Sequence, residues 1–439
     1  MTTSLPAGPK PGLRQLFRYA RAPYEYFQSN ADSFGDPFTI HTLGGKVVMT
    51  GDPALVRQIF TADPDLFDVF LVDTLEAMLG PGSMFLLSGE KHRRARKLLA
   101  PPFHGARMRA YGDLIGEVTR ERAAEWAPGS PLVMQQVTQS ISLEVIIRAV
   151  FGVTEPLRQA QFRRAVTDRV HASHPAIVFM KLLRREFGGF GPWARFRRAT
   201  EQLDRLLYRE ICERRASGQS GSDILSSMLQ ARYDDGSVMS DAEIRDELIT
   251  LLIAGHETTA SGLAWALYWL LRHPEVEGRL VDELAAAPAD ADLGAGALPY
   301  LQAVCQETLR LHPIVPDVVR RLKQPWKLGS YELPAGVGVG VALNLVHERA
   351  DLYPDPQRFD PERFLKRNYT PFEYLPFGGG ARRCIGAAFA MYEMRVALAT
   401  LLRERRFRLN DPAVRPARRN FTLGPSTGVA VIYEGRRAA

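Results

Sequence analysis

The chain has 439 residues, with 56 lysines and arginines against 49 aspartates and glutamates, which gives a formal net charge of +7 and a pI near 9.3. This excess is modest and spread over many segments, so a solvated basic surface is favoured over nucleic-acid binding. Three cysteines without paired spacing argue against a disulfide scaffold and favour a reducing, cytoplasmic location. Because no apolar run is long enough for a signal peptide or a membrane span, we expect no membrane anchor.

The first predicted elements lie in the N-terminal fifty-odd residues. Residues 1–12 are rich in proline and glycine, and we expect an extended segment there. The stretch PFTIHTLGGKVVMTG (37–51) predicts a β-hairpin, because β-branched residues flank a Gly-Gly pair. Asp52 and Pro53 then predict the cap and the first residue of a helix that runs through Ile59.

The rest of the chain changes character near residue 312. Before it, the patterns are mostly helical from about residue 89 to 285, with breaks at 152–156, 186–193 and 214–223. After it, short β-rich runs alternate with proline-rich connections. No repeat is visible, and no linker separates two cores. We therefore predict a mainly α fold with a minor β portion (α+β), in a single domain over 1–439.

The longest helical pattern, residues 240–274, carries a polar notch in its middle. Ser240 and Glu243 form a capping box at its start, and Pro274 lies near its end. The pattern is apolar on nearly all faces, yet GHETT at 255–259 places a carboxylate and two threonines at its centre. A satisfied polar patch is one interpretation. Because burying a carboxylate is costly, proton delivery to a buried reaction is the other.

Two further charged pairs have helical spacing. Glu307 and Arg310 are three residues apart in QETLRLHP, and Arg363 of FDPERF could share the same carboxylate. This spacing alone is a weak signal. His92 and Arg96, four apart, predict either a solvated basic helix face or an anion-binding face.

The stretch FGGGARRCIG (377–386) offers several kinds of chemistry. A phosphate-binding P-loop would need a Lys-Ser/Thr pair that is absent here. A nucleophilic Cys384 would need a base and an orienting partner, and structural zinc would need four ligands. A single thiolate as axial ligand to haem iron fits better, since glycines allow close approach and a following helix would stabilise the thiolate.

At these residues the chain resembles the cytochrome P-450 family. The haem-binding signature FxxGxRxCxG is matched at every fixed position, AGHETT (254–259) is similar to the oxygen-activation motif, and ExxR with PERF is similar to the Glu-Arg-Arg triad. The signature positions are Phe377, Gly380, Arg382, Cys384 and Gly386, and the triad is Glu307, Arg310 and Arg363.

The resemblance implies a role for each of these residues. Cys384 would ligate the iron of haem b (iron protoporphyrin IX), and the triad would stabilise the core on the haem side. Glu257 and Thr258 would deliver protons to the O₂ reaction. The other implied haem contacts, several of them to the propionates, are His92, Arg96, Ala254, Gly255, Arg320, Phe377 and Arg382.

The resemblance also implies a monooxygenase that hydroxylates a hydrophobic small molecule, such as a fatty acid, terpenoid, steroid or polyketide. The implied pocket segments are 69–87, 174–183, Leu251, Ala254, 314–319 and 423–427. Electrons would come from NAD(P)H through a ferredoxin or flavodoxin and its reductase, docking near Arg383, Arg395 and Arg403. A peroxide-driven hydroxylase or isomerase and a non-catalytic haem sensor are the alternatives, and the presence of Glu257 with Thr258 favours oxygen activation.

Overall fold

The computed structural model describes residues 5–105, 107–173, 177, 181–186, 188–218, 221–288, 291–293, 297–410 and 413–437. The chain divides into two compact units. Unit 1 comprises Met1–Phe70, Thr119–Thr138 and Thr258–Ala439, and unit 2 comprises Leu71–Val118 and Gln139–Glu257. The single domain expected over 1–439 stays a prediction.

Helices account for most of the described residues. In chain order they are α1 Leu13–Arg21, α2 Pro23–Phe34, α3 Pro53–Thr61, α4 Val72–Leu79, α5 Gly89–Leu99, α6 Arg107–Ala123, α7 Met134–Val145, α8 Pro156–Ala172, α9 Pro192–Ser217, α10 Ile224–Gln230, α11 Asp241–Arg272, α12 Pro274–Ala286, α13 Pro299–Leu311, α14 Leu343–His347, α15 Glu362–Lys366 and α16 Ala387–Glu404. Helix α7 continues into a π-helical turn over Ile146–Val150. Among the described residues, no helix combines the length and the hydropathy needed to cross a membrane.

The strands are short and fall mostly in unit 1. They are β1 Phe38–Thr42, β2 Gly45–Thr50, β3 Phe67–Val69, β4 Pro131–Val133, β5 Asp317–Leu322, β6 Trp326–Leu328, β7 Tyr331–Leu333, β8 Gly338–Ala342, β9 Arg405–Leu409, β10 Pro416–Arg419, β11 Thr422–Pro425 and β12 Ala430–Arg436. The prediction of a mainly α fold with a minor β portion is confirmed.

Local sequence signals account for several of these elements. The predicted hairpin forms between β1 and β2, with Phe38 opposite Met49. Asp52 caps α3, since its side chain accepts hydrogen bonds from the amides of Ala54 and Leu55. The capping box of α11 also forms: Glu243 accepts from the Ser240 amide at 2.8 Å, and the Ser240 hydroxyl accepts from the Glu243 amide at 3.2 Å.

Unit 1 is organised by a five-stranded mixed sheet in the order β1-β2-β8-β5-β3. Strand β2 contributes alternate residues to two hydrophobic clusters, with Val48 in one and Val47 and Met49 in the other. The sheet is therefore buried on both faces, as the period of two residues along a strand requires. In β8, Gly338 and Gly340 leave room for Val47 and Met49, because a Cβ at either glycine would lie within 3.0 Å of those side chains. Smaller sheets pair β4-β12-β9, β6-β7 and β10-β11.

Unit 2 is helical within its described residues. It contains α4, α5, α8, α9 and α10 with parts of α6, α7 and α11, and α8 packs against α9. Within the described residues, the prediction of mostly helical structure from about residue 89 to 285 is confirmed, and the short strand β4 lies inside this range. The predicted breaks match the gaps before α8, before α9 and between α9 and α10, although α9 runs on to Ser217.

Candidate functional site

The loop that carries Cys384 is shaped by its own backbone hydrogen bonds. The Cys384 amide donates to the Phe377 carbonyl at 3.0 Å, and the Arg383 amide donates to the Gly380 carbonyl at 3.1 Å within a short 3₁₀ turn. Cys384 is exposed, and α16 begins three residues later at Ala387 without a side-chain cap. The thiol therefore lies close in sequence to a helix N-terminus, where an anionic sulfur is favoured.

Two glycines of this loop need a backbone conformation that other residues avoid. Gly378 has φ +65° and Gly380 has φ +64°. Space is also short, since a Cβ at Gly380 would lie 2.3 Å from the carbonyl oxygen of Phe60 and one at Gly379 would lie 2.3 Å from the Phe60 ring. The glycine run thus lets the loop pack tightly on α3.

Arg320, on β5, braces the same loop. Its Nη2 donates to the Gly379 carbonyl at 3.0 Å and its Nη1 to the Ile59 carbonyl at 3.4 Å. The side chain is buried, and within the described chain its Nε has no hydrogen-bond partner. Burial, reinforced by the nearby charge of Arg382, lowers the pKa of Arg320 to about 10. Two cations close together with an unused buried donor form an arrangement suited to an anionic group.

Glu307, Arg310 and Arg363 meet in the core of unit 1. The Glu307 carboxylate accepts from Arg310 Nε at 2.7 Å and Nη2 at 2.8 Å, and from Arg363 Nε at 3.1 Å. The Asp360 amide adds a fourth bond at 2.9 Å. All three ionic side chains are buried, with Glu307 at 0% exposure. Glu307 therefore accepts hydrogen bonds from both arginines, which the sequence alone could not decide.

His347 connects this triad to the cysteine loop, and the sequence reasoning missed it. Its Nδ1 donates to the Arg310 carbonyl at 3.1 Å, and its Nε2 accepts from the Leu375 amide at 2.8 Å. Because an amide can only donate, Nε2 must be unprotonated. Burial, with the charge of Arg310, lowers the pKa of His347 to about 3, so the ring is neutral. The Leu375 carbonyl in turn accepts from the Gly378 amide at 2.8 Å.

The sequence signal for His347 was weak. It ends an otherwise apolar stretch, VGVGVALNLVH, and an ordinary satisfied core histidine gives the same pattern.

The polar centre of α11 is more accessible than the helix on either side. Ala254 is exposed, and Gly255, Glu257 and Thr258 are half-buried, between segments that are largely buried. His256 is buried, and its Nε2 lies 3.1 Å from the Gln139 carbonyl. Burial lowers the pKa of His256, so this ring is neutral at physiological pH.

Four of the predicted haem contacts belong to unit 2. His92 and Arg96 are one turn apart on α5 of unit 2, with His92 buried and Arg96 half-buried, so both fall on one helix face as their spacing predicted. Ala254, Gly255 and Glu257 also belong to unit 2, whereas Arg320, Phe377, Arg382, Cys384 and Thr258 belong to unit 1.

The three arginines of the predicted docking face for a redox partner differ in exposure. Arg383 is exposed, as expected. Arg395 and Arg403 are half-buried, and both form hydrogen bonds within the protein. Arg395 donates to the Gln302 side chain, and Arg403 donates to the Leu284 carbonyl. Burial lowers the pKa of both guanidinium groups. Of these three arginines, Arg383 is the most exposed.

The apolar segments expected to line a pocket are described only in part. Residues 174–176 and 178–180 lie outside the described residues. Phe85, from the first predicted segment, is 52% exposed, whereas Leu423, from the last, is 2% exposed and packs in the interior.

Comparison with known proteins identifies the family. The family model for cytochrome P450 matches residues 5–429. Putative cytochrome P450 135B1 of Mycobacterium bovis and Mycobacterium tuberculosis is 37% identical over 444 residues, with 99% of this chain and 92% of the relative covered. Putative cytochrome P450 138 of Mycobacterium tuberculosis is also 37% identical, with 92% of this chain and 87% of the relative covered.

Solved structures share the fold along nearly the whole chain. A retinoic acid-bound cyanobacterial CYP120A1 is similar with a TM-score of 0.85 at 25% identity, covering 98% of this chain and 100% of that one. The haem domain of cytochrome P450DA gives a TM-score of 0.86 at 25% identity, covering 98% of each chain. The chain therefore belongs to the cytochrome P450 family, the haem-thiolate oxidoreductases of monooxygenase type.

Proposed function

We propose that the protein uses O₂ to hydroxylate a hydrophobic organic substrate, with haem held by Cys384. The observation that carries this proposal is the cysteine loop: an exposed thiol on a glycine-built turn, next to a helix N-terminus and braced by the buried Arg320. Such a loop holds a thiolate in one place on a shaped backbone, which suits an axial ligand.

The residues of the loop and its surroundings fit haem chemically. Cys384 supplies the thiolate, and Arg320 with Arg382 supplies cations for a propionate, since the Arg320 Nε is buried without a partner in the described chain. Haem supplies one-electron and O₂ chemistry when bound. The further haem contacts that the resemblance implies are Phe377, His92, Arg96, Ala254 and Gly255.

Proton delivery is assigned to the Glu257 carboxyl and the Thr258 hydroxyl. Both are half-buried at the centre of α11, beside the exposed Ala254. His256 is not suited to this role, because it is neutral and its Nε2 bonds to the Gln139 carbonyl. A carboxyl in a partly shielded position can exchange protons with solvent and pass them to a neighbouring hydroxyl.

Electrons are proposed to come from NAD(P)H through a reductase and a small acidic ferredoxin, or a flavodoxin in its place. The support is the exposed guanidinium of Arg383, directly before the thiolate residue. An acidic partner would be drawn to this charge, and the attraction would weaken with salt. We place this reaction in the cytoplasm, where thiols stay reduced.

The proposed substrate class is supported by the apolar segments that the resemblance assigns to the pocket. The exposed Phe85 in the first predicted pocket segment supports a hydrophobic ligand such as a fatty acid, terpenoid, steroid or polyketide. The neighbour that carries retinoic acid, an apolar chain with a carboxylate, belongs to the same range of compounds.

The proposal is tested by spectroscopy and turnover of the haem-loaded protein. The reduced carbonyl adduct should show the red-shifted Soret band of thiolate ligation, and Cys384→Ser should lose it while Cys212→Ser, at another exposed cysteine, should keep it. Oxygenated product should appear with ferredoxin, ferredoxin reductase and NAD(P)H. A carbonyl band without the red shift refutes the thiolate assignment. Product formed with peroxide alone favours the peroxide-driven alternative, and no turnover with any ligand that shifts the ferric spectrum favours a sensor.

A further inference from the structure

Two adjacent acidic side chains of α11, Asp246 and Glu247, hold the backbone of the loop at residues 80–85 in unit 2. Asp246 Oδ2 accepts from the Gly82 amide at 2.7 Å, and Glu247 Oε1 accepts from the Met84 amide at 2.5 Å. Both carboxyl groups are buried, with Asp246 6% and Glu247 2% exposed. Burying carboxyl groups costs free energy, so these bonds fix the loop on a rigid element at a cost to the fold.

The loop is fitted closely around these acceptors. Gly80 has φ +94°, and a Cβ there would lie 2.1 Å from Asp246 Oδ1. The hydroxyls of Ser83 and Thr250 lie 2.7 Å apart, and both residues are buried. Three successive residues are thus held from α11, Gly82 and Met84 by their amides and Ser83 by its hydroxyl.

The segment before the loop is held as well. Arg169 of α8 donates to the carbonyl of Met78, near the end of α4, at 2.5 Å, and it is 2% exposed. Against this anchored backbone the Phe85 side chain is 52% exposed, and its amide donates to the Ser83 hydroxyl at 3.2 Å. An apolar ring is therefore presented outward from a fixed main chain.

We propose that Asp246 and Glu247 are positioning residues for substrate selection, which act by fixing the backbone of residues 80–85 and so the placement of Phe85. This inference rests on the proposed function, because only the family resemblance assigns segment 69–87 to the substrate. Their carboxyl oxygens act by accepting hydrogen bonds from the loop amides. The ligands are the hydrophobic compounds already proposed. Asp246 and Glu247 would set how strongly the protein discriminates among them by size.

The test compares Glu247→Leu, which removes the acceptor, with Glu247→Gln, which keeps a carbonyl oxygen in its place. Glu144→Gln is the control, since Glu144 is an equally buried glutamate of unit 2 that binds Arg148 and Arg163 instead of the loop. Where Glu247→Leu fails to fold, Thr250→Val replaces it, because it removes the hydroxyl contact with Ser83 at nearly constant volume.

Two measurements on the haem-loaded variants are needed. Hydrogen exchange of the peptide containing Gly82 and Met84 should accelerate about 10-fold or more in Glu247→Leu, as expected on losing a bond to a buried carboxyl, and less than about 3-fold in Glu247→Gln. The ratio of the dissociation constants of 1-butylimidazole and 1-octylimidazole, read from the ferric Soret shift, should change about 5-fold or more in Glu247→Leu and stay within about 2-fold in Glu247→Gln and in the Glu144 control.

Three results would overturn the inference. Faster exchange with an unchanged ligand ratio overturns the inference, since the loop would then be only structural. A ratio that moves as much in Glu144→Gln also overturns it. A wild-type protein without the thiolate carbonyl band refutes the proposed function and the inference with it, whereas a normal band with unaltered selectivity refutes the inference alone.

Discussion

Neutralising Glu307 should cost this protein a large part of its stability. Glu307→Gln keeps the side-chain volume but leaves Arg310 and Arg363, 1% and 7% exposed, without their counter-charge. The carboxylate accepts four hydrogen bonds. The amide of glutamine has one accepting oxygen, and its NH₂ group would face a guanidinium from which it cannot accept a hydrogen bond. Breaking a buried ion pair from one side costs about 3–5 kcal/mol, against a total stability of about 5–15 kcal/mol.

Urea unfolding at constant pH, followed by tryptophan fluorescence and far-UV circular dichroism, measures this cost. With a denaturant slope of about 3 kcal/mol per M, the midpoint should fall by about 1–2 M. Haem retention, read as the ratio of Soret to protein absorbance, should fall in parallel, because Arg310 is linked to the cysteine loop through His347.

A matched control separates burial from ion pairing as such. Asp234 binds Lys97 at 2.7 Å, the same distance as in the Glu307–Arg310 pair, but both side chains are more than 70% exposed. Asp234→Asn should therefore leave the midpoint unchanged, since solvent screens an exposed pair. If Glu307→Gln shifts the midpoint no further than Asp234→Asn does, the reasoning about the buried carboxylate is refuted.

Three other predictions follow from named contacts. Burial is the largest cause that raises the pKa of Glu247 from its ordinary 4.5 to about 8, and the charges of Asp246 and Glu243 add to it. The folded state then binds more protons than the unfolded state between those values, so wild-type stability falls as pH rises from about 4.5 to about 8. As the pH rises across that window, Glu247→Gln should become more stable relative to wild type, by at most about 5 kcal/mol. A difference between the two urea midpoints that does not change with pH would contradict the pKa assignment. Gly380→Ala should lower both the melting temperature and the haem content, since its Cβ would lie 2.3 Å from a backbone oxygen at φ +64°, whereas Gly278→Ala, in an open helical position, should not lower the melting temperature. Arg383→Glu should slow reduction by an acidic ferredoxin at low salt in stopped-flow kinetics while leaving the carbonyl spectrum normal, and unchanged kinetics would remove Arg383 from the docking face.

The signals that worked from sequence were local ones. The β1–β2 hairpin, the Asp52 cap of α3 and the Ser240–Glu243 capping box each depend on residues a few positions apart, so turn and cap chemistry specify them before any tertiary contact forms. The cysteine loop belongs to the same class, because its glycines and their positive φ angles lie within four residues of one another and of Arg382.

The contacts that the sequence could not supply join distant segments. Glu307 and Arg363 are 56 residues apart, Leu375 lies 28 residues from His347, and Glu247 reaches the Met84 amide across 163 positions. No spacing rule constrains such pairs.

Charge placement shows the same division. The sequence shows where the arginines are, but their exposure depends on which segments pack over them. Arg383 is exposed, whereas Arg395 and Arg403 are half-buried and form hydrogen bonds within the protein. The sequence by itself determined the helices, the hairpin and the cysteine loop, because helical period, caps and turns act within a few residues. The tertiary structure alone decided which charges are buried and which distant groups meet, because the free energy of a buried charge depends on every segment that removes it from water.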